Sequence, residues 1–308
     1  MRIGLVLGGG GVRGAAWMIG ALHGLVAETG WDPAAADLLL GTSAGAVVAA
    51  LTAAGAAPWQ AREPGHHELL EALLEAAVLR PEFALGRPGP GSLALVGRAW
   101  REGPSQVMKV VAGIAPRGFV STAPIARLVR ELGPAAWPAG RDLWIAATDY
   151  DSGERVVFGR AGAPAADPAL AVAASCAIPG LYRPVGIDGR LYVDGGVNSG
   201  ANLDLAAEAA LDLVICANPL SSSTGDRGLV SRIRALLHQQ LVPQMQAVER
   251  SGCDLVVLEP ATESIRLIGV NPMSRRRGAE IGSTASHEVR EYLRRPDVRD
   301  KLEPLGRS

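Results

Sequence analysis

Cysteine is scarce in this chain of 308 residues: Cys176, Cys216 and Cys253 are too few and too scattered for a disulfide scaffold. An excess of one charge is missing too. Thirty basic residues meet 31 acidic ones for a net of −1, which speaks against a dedicated nucleic-acid binder or a strongly acidic or basic partner protein. Lysine is almost absent, at Lys109 and Lys301 only, so arginine carries the positive charge, and no function is read from that. No apolar run is long enough to cross a bilayer; the most apolar stretch, 44–57, is short, uncharged and rich in Ala and Gly, as expected of a buried helix. The run that follows Met1 stops at Gly8 with Arg13 beyond, so a buried first strand is expected there rather than a signal peptide. Repeats of 20–50 residues are missing, as is a glycine at every third position. There is no His/Cys/Asp cluster at ligand spacing, so neither a metal nor a cofactor is expected. Without an export or membrane signal, a cytoplasmic protein with reduced thiols is expected.

What is present is an apolar, glycine-rich chain. Hydrophobic residues make up 48%, ample for a core and contrary to disorder. Glycine occurs 38 times, where a usual level of about 7% would give about 22. Such an excess asks for places where backbone turns sharply or approaches something closely.

The pattern along the chain is that of a parallel α/β sheet. An apolar strand at 2–7 runs into Gly8-Gly9-Gly10-Gly11, a helix is expected over 12–29, a second strand over 37–40 ends at Gly41, and a second helix spans 44–54. From 58 to 118 helical stretches such as 67–79 alternate with Pro/Gly breaks such as 86–91, which reads as an insertion over the sheet. A helix at 122–132 with Pro124 in its first turn follows, then strands at 143–148 and 155–158 around an Asp151-Ser152-Gly153 turn. A helix near 168–175, a strand at 191–193, a helix at 202–210, strands at 213–216 and 255–258, a long helix within 228–250 and a C-terminal helix complete the series. Residues 264–308 carry a net +4, including Arg275-Arg276-Arg277; a solvated helix face accounts for this, with contact to anionic lipid headgroups or phosphate as the functional reading.

Two glycine motifs could carry chemistry. Gly41-Thr42-Ser43-Ala44-Gly45 is a G-x-S-x-G between a buried strand and a helix, the setting of a nucleophile elbow, in which small neighbours allow a sharp turn and expose the hydroxyl. The plainer reading is that Ser43 caps the helix. Gly9-Gly10-Gly11-Val12-Arg13-Gly14 fits G-x-G-x-x-G, so a nucleotide-binding module is one alternative. That module ordinarily has an acid at the end of its second strand, where this chain has Gly41-Thr42-Ser43. The other use of such a loop is an oxyanion hole built from bare backbone amides, each worth about 2.7–4 kcal/mol to a tetrahedral intermediate. Arg13 would brace the loop or add positive charge.

A serine nucleophile needs a base. None of the five histidines, His23, His66, His67, His238 and His287, lies in a strand-end motif. Asp194 does, after strand 191–193 and before Gly195-Gly196, whereas Asp149 and Asp151 look like parts of a hairpin turn. A Ser-His-Asp triad of the α/β-hydrolase kind stays open as a second alternative.

Together the glycine loop, the G-x-S-x-G and Asp194-Gly195-Gly196 resemble the patatin-like phospholipases, as do Ala174-Ser175-Cys176-Ala177-Ile178-Pro179-Gly180 and Tyr182-Arg183-Pro184-Val185. The resemblance covers roughly residues 1–220 and departs at Gly8, where some members carry Asp or Ser. It implies a three-layer α/β/α fold, with a mostly parallel central sheet flanked by helices, in one domain over 1–308. The 58–118 insertion would form a helical cap and 220–308 a C-terminal helical portion. It also implies a Ser43–Asp194 dyad, an oxyanion hole at Gly9, Gly10 and Gly11, an acyl-enzyme intermediate and lipid or small ester substrates. Any membrane contact would be peripheral.

Overall fold

The computed structural model describes residues 1–56, 59, 91–103, 107–223, 228–274 and 276–307. The expected helical stretch 67–79 and most of the 86–91 break lie outside them. Strands β1 (Ile3–Leu7), β2 (Leu38–Thr42), β3 (Asp142–Asp149), β4 (Arg155–Phe158), β5 (Val185–Ile187), β6 (Arg190–Asp194), β7 (Leu213–Ala217) and β8 (Asp254–Leu258) form one sheet. Its order is β5-β6-β3-β2-β1-β7-β8, with β4 also on β3. The run from β3 to β8 is parallel; β4, β5 and β6 are antiparallel additions.

Period-2 alternation divides the core into two faces. Ile3, Leu5 and Leu7 of β1 join Leu39, Leu213 and Ile215 on one side, while Val6 joins Leu38, Leu40, Val214 and Cys216 on the other. The first face is covered by α1 (Gly11–Thr29), α2 (Ala44–Ala53), α5 (Ala123–Leu132) and α6 (Pro168–Ser175), and by α9 (Gly278–Leu293) and α10 (Pro296–Leu302). Between α2 and α5 in the chain stand α3 (Leu93–Glu102) and α4 (Val107–Ile114). The second face is covered by a 3₁₀ helix, Leu203–Glu208, and by α7 (Leu229–Arg250). This is the expected mostly parallel sheet flanked by helices, in three layers.

Local chemistry sets several boundaries. Asp167 accepts a 2.6 Å bond from the Leu170 amide and Pro168 opens α6, so that helix is capped in its own sequence. Pro124 opens α5 as expected. The helix expected at 202–210 is only a 3₁₀ turn, because Asn202 and Ala210, both at positive φ, close it at either end. The single C-terminal helix is three: α8 (Thr262–Ile268) stops at Gly269 with φ +58, and α10 is set apart from α9 by Pro296 at its start. Strand β5 has no signal in the sequence, because three residues are too few to show an alternation.

Candidate active site

Register brings the motifs together. Leu7 pairs with Gly41, so the glycine loop and Ser43 leave neighbouring strand ends on the carboxyl edge of the sheet. Thr42 pairs with Ala146, and the next residue of β3, Ala147, pairs with Asp194. Ser43 and Asp194 therefore both stand one step beyond the Thr42–Ala146 pair, near enough that the Ser43 hydroxyl pulls the Asp194 carboxyl down against the upward push of burial.

The elbow is strained and crowded, which explains its glycines. Ser43 has φ 54 and ψ −121, a backbone conformation worth about 1–3 kcal/mol of strain in a non-glycine residue. A Cβ on Gly41 would lie 2.4 Å from Ala46 Cα, and one on Gly45 would lie 2.0 Å from the Leu7 carbonyl. Ser43 stands at the N-cap of α2 yet makes no side-chain capping bond, so the capping reading is not what the hydroxyl does. Thr42 is held by Asn202, whose Nδ2 donates to its Oγ1 at 3.0 Å, and Ala44 opens α2.

A clamp that the sequence did not reveal fixes the serine. The Ser43 amide donates to Ser175 Oγ at 2.8 Å, and Ser175 Oγ donates to the Ala146 carbonyl at 2.6 Å. The Cys176 thiol donates to the Ser43 carbonyl at 3.3 Å. Its only sequence signal is the Ala174–Gly180 segment of the family resemblance, which shows a motif without a role. Burial first, and then the Asp194 charge, push the Cys176 thiol far above its ordinary range. Ser175→Ala should leave the Ser43 amide buried without an acceptor, lowering stability by about 1–3 kcal/mol in denaturant titration. The loosened elbow should also lower kcat.

Asp194 is 5% exposed. Burial raises its carboxyl from 3.8 to about 6, against the opposing pull of the Ser43 hydroxyl and the Gly196 amide, which donates to Oδ1 at 2.7 Å. Gly195 lets the chain turn against β3, since a Cβ there would lie 2.3 Å from the Ala146 carbonyl.

The glycine loop arches over the serine. Gly9 is where a Cβ would come 3.5 Å from Ser43 Cβ, and its amide donates to the Gly200 carbonyl at 2.8 Å. That N–H is thus committed to the protein. The Gly10 and Gly11 amides make no hydrogen bond among the described residues. Gly11, with φ +61, supplies the left-handed residue that starts α1. Arg13 braces the loop: its guanidinium donates to the carbonyls of Leu267, Ile268 and Ser274 and to Ser274 Oγ, and its own amide reaches Pro272 O at 3.0 Å. Gly14 donates its amide to Gly10 O at 3.0 Å and packs on Pro219. No acidic residue occupies the first turn of α1 or α2, so both positive helix ends face the site uncompensated.

The described histidines are elsewhere. His23 pairs with Ser286 at 2.9 Å, His238 with Glu259 at 2.9 Å and His287 with Glu291 at 3.3 Å. His66 and His67 lie outside the described residues. Asp149 Oδ1 accepts from the Asp151 and Ser152 amides at 3.0 and 2.8 Å, the turn role expected of it.

An α/β sheet with a buried elbow serine and a buried aspartate at its carboxyl edge has the layout of an acyl hydrolase. The chain belongs to the patatin-like phospholipase family, whose model matches residues 5–207. Lipid acyl hydrolysis is the class of activity that this membership carries. Among solved structures, that of VipD from Legionella pneumophila is similar at 14% identity with a TM-score of 0.41, over 94% of this chain and 67% of that one. No described helix is long and apolar enough to cross a membrane.

Proposed function

We propose that the protein is a serine acyl hydrolase that cleaves carboxylic esters of lipids through a Ser43–Asp194 dyad. The observation that carries this reading is the register that sets the Ser43 elbow beside Asp194, a buried carboxyl that burial raises to about 6. A carboxylate at its ordinary value of about 3.9 would be a poor base at neutral pH, and burial narrows that gap.

Asp194 accepts the hydroxyl proton as Ser43 Oγ attacks the ester carbonyl. The oxyanion is received by the Gly10 and Gly11 amides, the two of the loop not committed elsewhere, and by the N-terminus of α1. Gly9 acts as the close-fitting spacer above the serine. The ester C–O bond breaks, the alcohol leaves with the proton from Asp194, and the acyl group stays on Ser43. Water then attacks the acyl-enzyme and gives its proton to Asp194. Ser43 Oγ recovers that proton as the fatty acid departs. No step calls on a metal or cofactor.

A fluorophosphonate probe tests this directly. Mass spectrometry should find the label on the peptide that contains Ser43. A well-folded protein that takes no label would instead be a nucleotide- or lipid-binding module. His238→Ala and His287→Ala should each keep ester hydrolysis within about threefold of the parent, because their rings engage Glu259 and Glu291 rather than the site. Loss of activity in either, as deep as loss of the serine, would mean a triad.

A further inference from the structure

A short helical hairpin stands beside the site. Helices α3 and α4 cross closely: a Cβ on Gly113 would lie 2.7 Å from the Ser92 carbonyl. Their inner residues Leu95 and Ala112 are buried and cluster with Val193 and Val197, which flank Asp194 in the chain. Helix α4 also touches the Gly195–Val197 turn.

The outer faces are apolar as well, the reverse of a helix that faces water. Leu93 is 87% and Trp100 83% exposed, seven residues apart on one side of α3. Met108, Val111 and Ile114, at 49%, 54% and 71%, recur every third residue along α4. Of the six tryptophans, Trp17, Trp31, Trp59 and Trp144 are buried and Trp137 is partly covered, so Trp100 alone is presented outward. The charge of this segment also differs from that of the whole. Residues 91–119 hold Arg98, Arg101, Lys109 and Arg117 against Glu102; Lys109 is buried on Glu102 and Arg98 pairs with both Glu102 and Glu154, which leaves Arg101, exposed beside Trp100, and the half-buried Arg117 as the cations of this face.

We propose that the outer face of this hairpin docks on an anionic phospholipid surface, with Trp100 and the α4 stripe in the headgroup–acyl boundary and Arg101, beside Trp100, at the level of the phosphates. Apolar surface joined to positive charge suits such an interface. A second copy of the chain would also cover apolar surface, but a two-fold axis would set the unpaired cations of this face against their own copies. The position matters because the hairpin rests on the turn that follows Asp194, so docking would bring lipid esters to the edge where Ser43 lies. The inference rests on the lipid-ester reading above.

The test uses the full-length chain with Ser43→Ala, which spares the lipid, and vesicles of 70:30 phosphatidylcholine and phosphatidylglycerol. Co-sedimentation should show binding, weaker on phosphatidylcholine alone. Adding Trp100→Ser with Ile114→Ser should weaken partitioning by about tenfold or more. Leu132→Ser, on α5, should not. Brominated acyl chains should quench tryptophan emission, and Trp100→Phe should abolish that quenching while retaining binding. In the chain with Ser43 intact, the Trp100→Ser and Ile114→Ser pair should spare hydrolysis of a soluble p-nitrophenyl butyrate and lower hydrolysis of vesicle lipid. Equal binding by the double variant, or a parent that ignores vesicles yet cleaves the soluble ester, overturns the docking surface and leaves the activity standing. A parent that binds vesicles but cleaves neither ester does the opposite. A dimer that Trp100→Ser splits would assign the face to a second copy, and the proposal would be wrong.

Discussion

Ser43→Ala should reduce ester hydrolysis by at least about three orders of magnitude while the fold is kept, because the variant removes the only atom proposed to form the acyl bond. The backbone gives a reason to expect retained folding. The strain at φ 54 belongs to any residue with a Cβ, so alanine neither adds to it nor relieves it. The amide clamp through Ser175 is also untouched. Steady-state hydrolysis of a soluble ester, with circular dichroism to confirm folding, would decide the matter; substantial residual turnover would falsify the nucleophile assignment.

Asp194→Asn should lose about two to four orders of magnitude in kcat, the usual worth of a positioned general base. The pH dependence is the more diagnostic readout. In the parent, kcat/KM should rise through about 6 as the carboxylate ionises, and in the variant this limb should vanish. Stability should move the other way. A carboxyl raised from 3.8 to about 6 holds its proton more tightly in the folded chain. Its contribution to stability is fully present below about 3.8 and is lost as the pH rises through about 6. Holding the charge at neutral pH therefore costs the fold up to about 3 kcal/mol. Asparagine carries no such charge and can still accept from the Gly196 amide. The variant should melt higher than the parent at about pH 8, and the difference should shrink at about pH 4. A variant less stable than the parent at both would mean that burial does not penalise the carboxylate.

The parts of the site that could be read from sequence are those whose signal is local. A strand running into glycines and a G-x-S-x-G each state their own geometry within a few residues, and so does an aspartate ahead of two glycines. The contacts that complete the site are not local. Ser175 meets the Ser43 amide across 132 positions, and Arg13 reaches carbonyls more than 250 positions away. The commitment of the Gly9 amide depends on Gly200, which no spacing rule links to it. The same limit explains the helices misjudged in kind: the turn at Leu203–Glu208 looks α-helical by composition, and only the positive φ of Asn202 and Ala210 keeps it short.

The embrace of Arg13 by the carbonyls of Leu267, Ile268 and Ser274 has a consequence for where the enzyme can be divided. Residues 5–207, the span of the family match, contain every group proposed to do chemistry, but they should not fold alone. Cutting there would strip β7 from β1, take away the Ala217 carbonyl that receives the Gly8 amide, and bare the flank of α1 where Gly20 lies against Gly282. What remained would be an open parallel sheet with a naked edge and an unmoored glycine loop. The last third of the chain is thus the abutment under the arch over the serine, and the smallest piece expected to stand alone is longer than the catalytic inventory.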